Sequence, residues 1–378
     1  MCSGCKYNKM EVDAIKLTKP EPMMITWDIG RRCNFDCTYC ESTRHNTYSP
    51  PTSWQNLCST LDFIKQYTGL YNQPNANIGF TGGEPTVNPQ FWNFVEKINN
   101  ETKFQVGMTS NGTWPEKHID FIKDNFVGIT LSYHAEANLF SKERTIDNAI
   151  LVKQAGLWLT VNVMMHTDHW NECVEVHEKL KSHGIDSKPT MIGDGNLGVT
   201  DWFEDTEGVQ RRTSHPYTKQ QQEWYLREKG LPTDIVEKIA EGYELPRGCC
   251  GARSIEGSCN GCWQNVEAVN TNFKGWYCAV NRYFLHIDQH TEKVYHHQTC
   301  QATFNNNRGS IGTIAESDVI IDKLKKQLAT GYMPVIVCSR RVCGCGMCLS
   351  KARDDDDIKD LFKKTVAGLQ PLIGEKLY

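Results

Sequence analysis

The sequence has no apolar run approaching the ~20 residues that cross a bilayer. Its first ten residues, MCSGCKYNKM, hold no apolar stretch of the kind that opens a secretory signal. These absences argue against a helical membrane span and lead to the expectation of a cytoplasmic protein with no membrane partner. Positive charge is also lacking: the formal net charge is −4 and the pI about 6.3. No overall basic field therefore draws the chain to nucleic acid or anionic lipid. There is no interleaved stripe of basic and aromatic residues such as single-stranded nucleic acid requires, and no internal repeat. Disorder is excluded by composition, with 39% hydrophobic residues, 23% charged residues and ten Trp along the 378 positions.

What the sequence has in excess is cysteine. Seventeen is an odd count and fits poorly with a disulfide framework in a chain without a secretory signal, so metal binding is the better account. The placing is uneven. Cys33, Cys37 and Cys40 stand together early, and ten others fall between Cys249 and Cys348. One early metal site and a separate late region are expected.

From residue 22 to 194 short β-prone runs alternate with segments of helical period, the pattern of βα units around a parallel sheet. Strands are predicted at 24–29, 77–81, 104–109, 127–132, 157–164 and 188–192, with helices at 53–67, 89–99, 115–124, 141–155 and 170–183. The expected fold class is α/β, a partial (β/α)6 TIM-type barrel carrying a C-terminal cysteine-rich domain. Residues 1–21 form an N-terminal extension, 22–194 the core barrel, 195–248 a helical connector, 249–350 the cysteine-rich region and 351–378 a closing helical segment. The connector should hold helices at 219–229 and 233–242, and a hairpin is expected from 283–287 and 293–296. In parallel βα architectures chemistry gathers at the C-terminal strand ends. Four loops carrying reactive residues follow the first four strands: Cys33 to Cys40, Gly82 to Pro85, Ser110 to Gly112 after Thr109, and His134 with Glu136 after Ser132.

Cys33, Cys37 and Cys40 form C-x3-C-x2-C, three thiols in one tight loop, which suits an iron–sulfur cluster and also a structural zinc. Three thiolates on a four-iron cluster leave one iron open to a ligand. This spacing, with Tyr39 just before the last cysteine, resembles the signature loop of the radical S-adenosylmethionine (SAM) superfamily. Gly82-Gly83-Glu84-Pro85 after the second strand is similar to that family's GGEP motif. The resemblance implies a [4Fe–4S] cluster on Cys33, Cys37 and Cys40 that binds SAM and cleaves it reductively, producing a 5′-deoxyadenosyl radical for hydrogen abstraction. It also implies cofactor contacts from Tyr39, from Gly82, Gly83, Glu84 and Pro85, and from Ser110, Asn111 and Ser132. An external electron donor of flavodoxin or ferredoxin type would follow.

The late cysteines fall into two groups. Cys278, Cys300, Cys338, Cys343, Cys345 and Cys348 resemble the SPASM or Twitch extensions that carry auxiliary iron–sulfur clusters, although the spacing departs from the usual C-x2-C-x5-C-x3-C. Cys249, Cys250, Cys259 and Cys262 suit either a further cluster or a structural zinc. Relatives with such extensions modify peptides, partner proteins or small molecules. Rival readings are a non-catalytic zinc-binding interaction or nucleic-acid module, a glycyl-radical activase and an RNA-modifying enzyme. The acidic pI weighs against RNA, and Arg31, Arg32, Arg340 and Arg341 suit charge compensation beside cluster loops.

Overall fold

The computed structural model describes residues 22–40, 45–192, 217–230, 274–297, 310–330 and 336–338, short strands at 14–15, 202–204, 210–212 and 351–352, and helical positions 233, 236 and 237. Along the chain the elements are β1 (Ala14–Ile15), β2 (Met24–Asp28), α1 (Trp54–Leu70), β3 (Asn77–Thr81), α2 (Phe91–Glu101), β4 (Gln105–Ser110), α3 (Ile119–Asn125), β5 (Gly128–His134), α4 (Leu139–Gln154), β6 (Trp158–Met165), α5 (Trp170–Ser182) and β7 (Asp186–Met191). There follow β8 (Trp202–Glu204), β9 (Gln210–Arg212), α6 (Lys219–Glu228), β10 (Tyr277–Cys278), α7 (Val280–Tyr283), β11 (Phe284–Asp288), β12 (Lys293–Tyr295), β13 (Gly312–Thr313), α8 (Ser317–Leu328), β14 (Ile336–Val337) and β15 (Lys351–Ala352). Two compact units result, one of residues 27–54 and 78–243, the other of residues 1–26, 55–77 and 244–378.

The first unit is α/β. The sheet runs in sequence order from β2 to β7, with α2, α3, α4 and α5 in the gaps from β3 onward, and β4 to β7 are paired in parallel throughout. This mostly parallel α/β sheet agrees with the partial (β/α)6 barrel that the alternating pattern predicts. Trp27, Phe80, Phe91 and Phe94 are wholly buried and meet ring to ring at 5.3–6.3 Å. Each contributes roughly 1.5–3 kcal/mol by leaving water. Helix α2 presents Phe91, Phe94, Val95 and Ile98 inward, the i, i+3, i+4, i+7 spacing of one face.

The predicted strands differ from the observed ones by one or two residues at their ends. The β5–β6 ladder continues to His134↔Met164, so Ser132 lies inside β5 and His134 is its last residue. Strand β7 begins at Asp186, two residues earlier than expected, because pairing to Thr160 recruits residues of low β propensity. Pro189 is tolerated there because β7 ends the sheet order.

In the second unit α1 buries Leu57, Leu61 and Ile64, and the Tyr67 hydroxyl donates to the Asn281 carbonyl at 2.9 Å. The predicted hairpin forms as β11 and β12, paired antiparallel from His286↔Tyr295 to Asp288↔Lys293. A small sheet in the order β1-β15-β10-β14 accompanies it. Helix α8 was not foreseen. Its signal is buried Ile320, Ile321, Leu324 and Leu328 at helical spacing, and a capping box between Thr313 and Glu316 opens the 3-10 turn that leads into it. The expected helix at 219–229 is α6; most of the one at 233–242 and all of the closing segment at 354–364 lie outside the described residues. Among the described residues no helix is long and apolar enough to cross a membrane.

Candidate active site

The C-terminal ends of β2 and β3 bring two loops into direct contact. Ile29 N–H donates to the Thr81 carbonyl at 2.9 Å, Gly83 N–H to Gly30 at 2.8 Å and Glu84 N–H to Arg32 at 2.8 Å. This approach explains the two glycines. A Cβ on Gly83 would sit 2.3–2.6 Å from backbone atoms of Arg31 and Arg32, and one on Gly82, whose φ is +118°, would lie 2.5 Å from the Gly30 carbonyl oxygen. Farther along, Cys33 N–H donates to Asn46 at 2.8 Å and Asn46 N–H to Arg31 at 2.9 Å, which closes the base of the cysteine loop. Cys40 N–H donates to the Cys37 carbonyl at 3.1 Å, turning the chain so that both cysteines face one side.

Cys33, Cys37 and Cys40 line one cavity of about 150 Å³. Gly82, Gly83 and Glu84 line it from β3, Thr109, Ser110 and Asn111 from β4, and Ser132 and His134 from β5. Tyr39 also lines it. Burial pushes the Cys33 thiol up to about 12 and the Cys37 thiol higher still. Left alone, both stay protonated; coordinated metal cations would deprotonate them outright. Three thiols around one cavity, Cys33 and Cys37 of them desolvated, thus fit a metal cluster as their charge partner.

Glu84, 3% exposed, organises the opposite wall. Its carboxylate accepts from Ser110 Oγ at 2.8 Å, Asn111 N–H at 2.7 Å, Thr86 Oγ1 at 2.6 Å and Thr86 N–H at 3.1 Å. Burial raises its pKa while these neutral donors oppose the rise, so a cation entering the cavity would relieve the remaining desolvation. Pro85 starts the 3-10 turn that Glu84 caps. The Asn111 amide donates to Asn34 Oδ1 at 2.7 Å and accepts from Thr113 Oγ1 at 2.7 Å, tying the cysteine loop to the end of β4.

His134 Nδ1 lies 2.6 Å from the Tyr39 hydroxyl and 3.5 Å from Cys37 Sγ. Desolvation lowers its pKa to about 4, which keeps the ring neutral. Glu136 accepts from Thr38 N–H at 2.8 Å and Thr38 Oγ1 at 2.6 Å, and His166 Nε2 lies 3.2 Å from the same carboxylate. Burial would raise the Glu136 pKa, but the His166 and Thr38 hydrogen bonds prevail and hold it at about 2.

The eleven early residues expected to hold the cluster or contact SAM come together, Pro85 as the support of the glycine turn and the others on the cavity wall; His134 joins them, whereas Gly112 and Glu136 do not line it. Sequence reasoning missed Phe35 and His45, which also line the cavity, and Thr38 and Asn34, which anchor the loop. His45 arrives only because the chain returns through the Arg32↔Asn46 bridge, a tertiary event with no local signal. Of the late cysteines, Cys278 and Cys338 belong to the second unit. Cys278 stands opposite Ile336 in the β10–β14 pair, and Cys338 follows two residues later with its N–H donating to Trp276 at 2.8 Å. Cys249, Cys250, Cys259, Cys262, Cys300, Cys343, Cys345 and Cys348 lie outside the described residues.

Residues 27–207 match the family model described as the Radical SAM superfamily. The chain carries a radical SAM domain. Among curated relatives, this chain is 36% identical over 90 residues to a GTP 3′,8-cyclase of Mannheimia succiniciproducens, 23% of this chain and 26% of that protein. It is 29% identical over 115 residues to the mycofactocin maturase MftC of Mycobacterium tuberculosis, 29% of this chain and 27% of that protein. The chain thus spans about a quarter of the length of these relatives. A solved structure of SuiB from Streptococcus suis superposes with a TM-score of 0.48 at 14% identity, covering 80% of this chain and 66% of that one.

Proposed function

We propose that this protein is a radical SAM enzyme in which Cys33, Cys37 and Cys40 hold a [4Fe–4S] cluster. When bound, the cluster supplies an electron that splits SAM into methionine and a 5′-deoxyadenosyl radical, which takes hydrogen from the substrate. The observation that carries this reading is the meeting of Cys33, Cys37 and Cys40 with the Gly82–Gly83–Glu84 loop on one cavity. Glu84 supplies negative charge for the SAM ammonium, and Gly82 and Gly83 let the backbone wall lie close enough to form that pocket. Ser110, Asn111 and Ser132 bound the side where the remaining polar groups of SAM would sit, with Tyr39 and the neutral His134 closing it beside Cys37. The buried Cys37 and Phe35 in the lining exclude water, which protects a radical from quenching.

The substrate belongs to the peptides, proteins or small molecules, and the reductant is an external flavodoxin or ferredoxin type donor. Cys278, Cys338 and the cysteines at 300, 343, 345 and 348 are proposed to bind one or two auxiliary clusters, with a further cluster or a zinc at Cys249, Cys250, Cys259 and Cys262. Free thiols and oxygen-sensitive cofactors fit a cytoplasmic setting. The test is electron paramagnetic resonance of the anaerobically reconstituted, dithionite-reduced protein. Adding SAM should change the signal of the wild type and have no effect in Cys37→Ala, which keeps its auxiliary iron. A SAM-induced change that persists in Cys37→Ala overturns the site assignment.

A further inference from the structure

We propose that Glu136 is a positioning residue that fixes the cysteine loop before its cluster is inserted, with His166 holding Glu136 in place. The inference rests on the cluster reading above. Thr38 sits between Cys37 and Cys40, and both oxygens of one carboxylate grip it: Oε2 takes its N–H at 2.8 Å and Oε1 its hydroxyl at 2.6 Å. The backbone between two ligands is thereby fixed in place and in orientation.

The third contact follows from the tautomer. His166 Nδ1 accepts the Asp168 N–H at 3.2 Å and so carries no proton. The ring proton is then on Nε2, 3.2 Å from Glu136 Oε1, and His166 acts as a donor. His166 is 5% exposed and directly follows β6, while Glu136 follows the adjacent β5, paired to it through His134↔Met164. Two rigid strand ends therefore brace a loop that leaves a third.

Proton transfer is the competing role, and the geometry disfavours it. Both Glu136 oxygens already accept from the chain, and neither Glu136 nor His166 lines the cavity where a substrate would react. Holding a ligand loop ready lowers the ordering cost of metal binding, and loss of such a support costs about 10–100-fold in metal affinity.

The experiment uses the full chain reconstituted anaerobically with ferrous iron and sulfide, in wild type, Glu136→Gln, Thr38→Val, Thr38→Ser and the Glu136→Gln/Thr38→Val double variant. Two quantities are read: the rate at which a ferrous chelator removes the SAM-responsive resonance signal, and amide hydrogen exchange of the peptide spanning residues 33–40 in the iron-free chain. Glu136→Gln and Thr38→Val should each speed signal loss about tenfold or more and raise exchange in that peptide. The double variant should be no worse than the poorer single, and Thr38→Ser, which keeps the hydroxyl, should stay within about twofold of wild type. Wild-type cluster retention and exchange in Glu136→Gln, or additive effects in the double variant, overturn the proposal while leaving the cluster reading intact. A wild type that takes up no iron instead refutes the cluster reading, and exchange alone then decides whether Glu136 orders the loop.

Discussion

At Glu84 a Gln substitution keeps the shape and removes the charge, and it turns an amide N–H against one of the donors that now converge there, Asn111 N–H or the pair from Thr86 and Ser110. Glu84→Gln should therefore weaken SAM binding by about tenfold or more, the worth of a lost charged hydrogen bond, while iron content stays at the wild-type level. Equilibrium dialysis with labelled SAM reads this directly, and an unchanged affinity would remove Glu84 from the binding role. Gly83 makes a different test, because its constraint is contact with the backbone of Arg31 and Arg32 and has no flexible neighbour to yield. Gly83→Ala should cost about 1–3 kcal/mol in denaturant unfolding, as overpacking does, and should lower cluster uptake by separating the two loops. A stable variant with normal iron content would show that the loop contact is dispensable.

At the scale of elements, β5, α4 and α5 meet through Glu172, which accepts from the Tyr133 hydroxyl at 2.5 Å and lies 2.7 Å from Lys142 Nζ. Burial works against the charged form, yet the Lys142 and Tyr133 contacts prevail and lower the Glu172 pKa. A carboxylate with a depressed folded pKa adds stability above its unfolded value, near 4.3, and loses it as pH falls toward the lower folded value. Glu172→Gln should thus be less stable than wild type at pH 7, and the gap should narrow below about pH 4.3. Urea unfolding across that range measures it; a gap independent of pH would assign the effect to packing. The same elements show what local sequence carries. Apolar periodicity placed all six strands and five helices of the βα series, because each must bury one face wherever its neighbours lie. Strand ends were shifted because Tyr133 and His134, and Asp186 and Ser187, join their strands through ladder partners that are remote in sequence. Helix α8 was missed although its apolar stripe, and the capping box of the turn before it, are written in the sequence. Within the site, spacing made the thiols and the glycine turn legible, whereas His45, Asn34 and Thr38 gain their roles from loop contacts that no periodicity encodes.

Across the whole molecule, a chain of net charge −4 that gathers three thiols on one cavity carries no broad attraction for polyanions. The resemblance to radical SAM proteins, the family match over residues 27–207 and the convergence of the cysteine and glycine loops agree on one chemistry. The decisive measurement is a dithionite-driven assay for 5′-deoxyadenosine, run with SAM on anaerobically reconstituted wild type and on the Cys33→Ala/Cys37→Ala/Cys40→Ala variant. The account predicts product from the wild type alone, with the variant retaining whatever iron the late cysteines bind. Product from both proteins, or a wild type that binds zinc, takes up no iron and yields none, would contradict it.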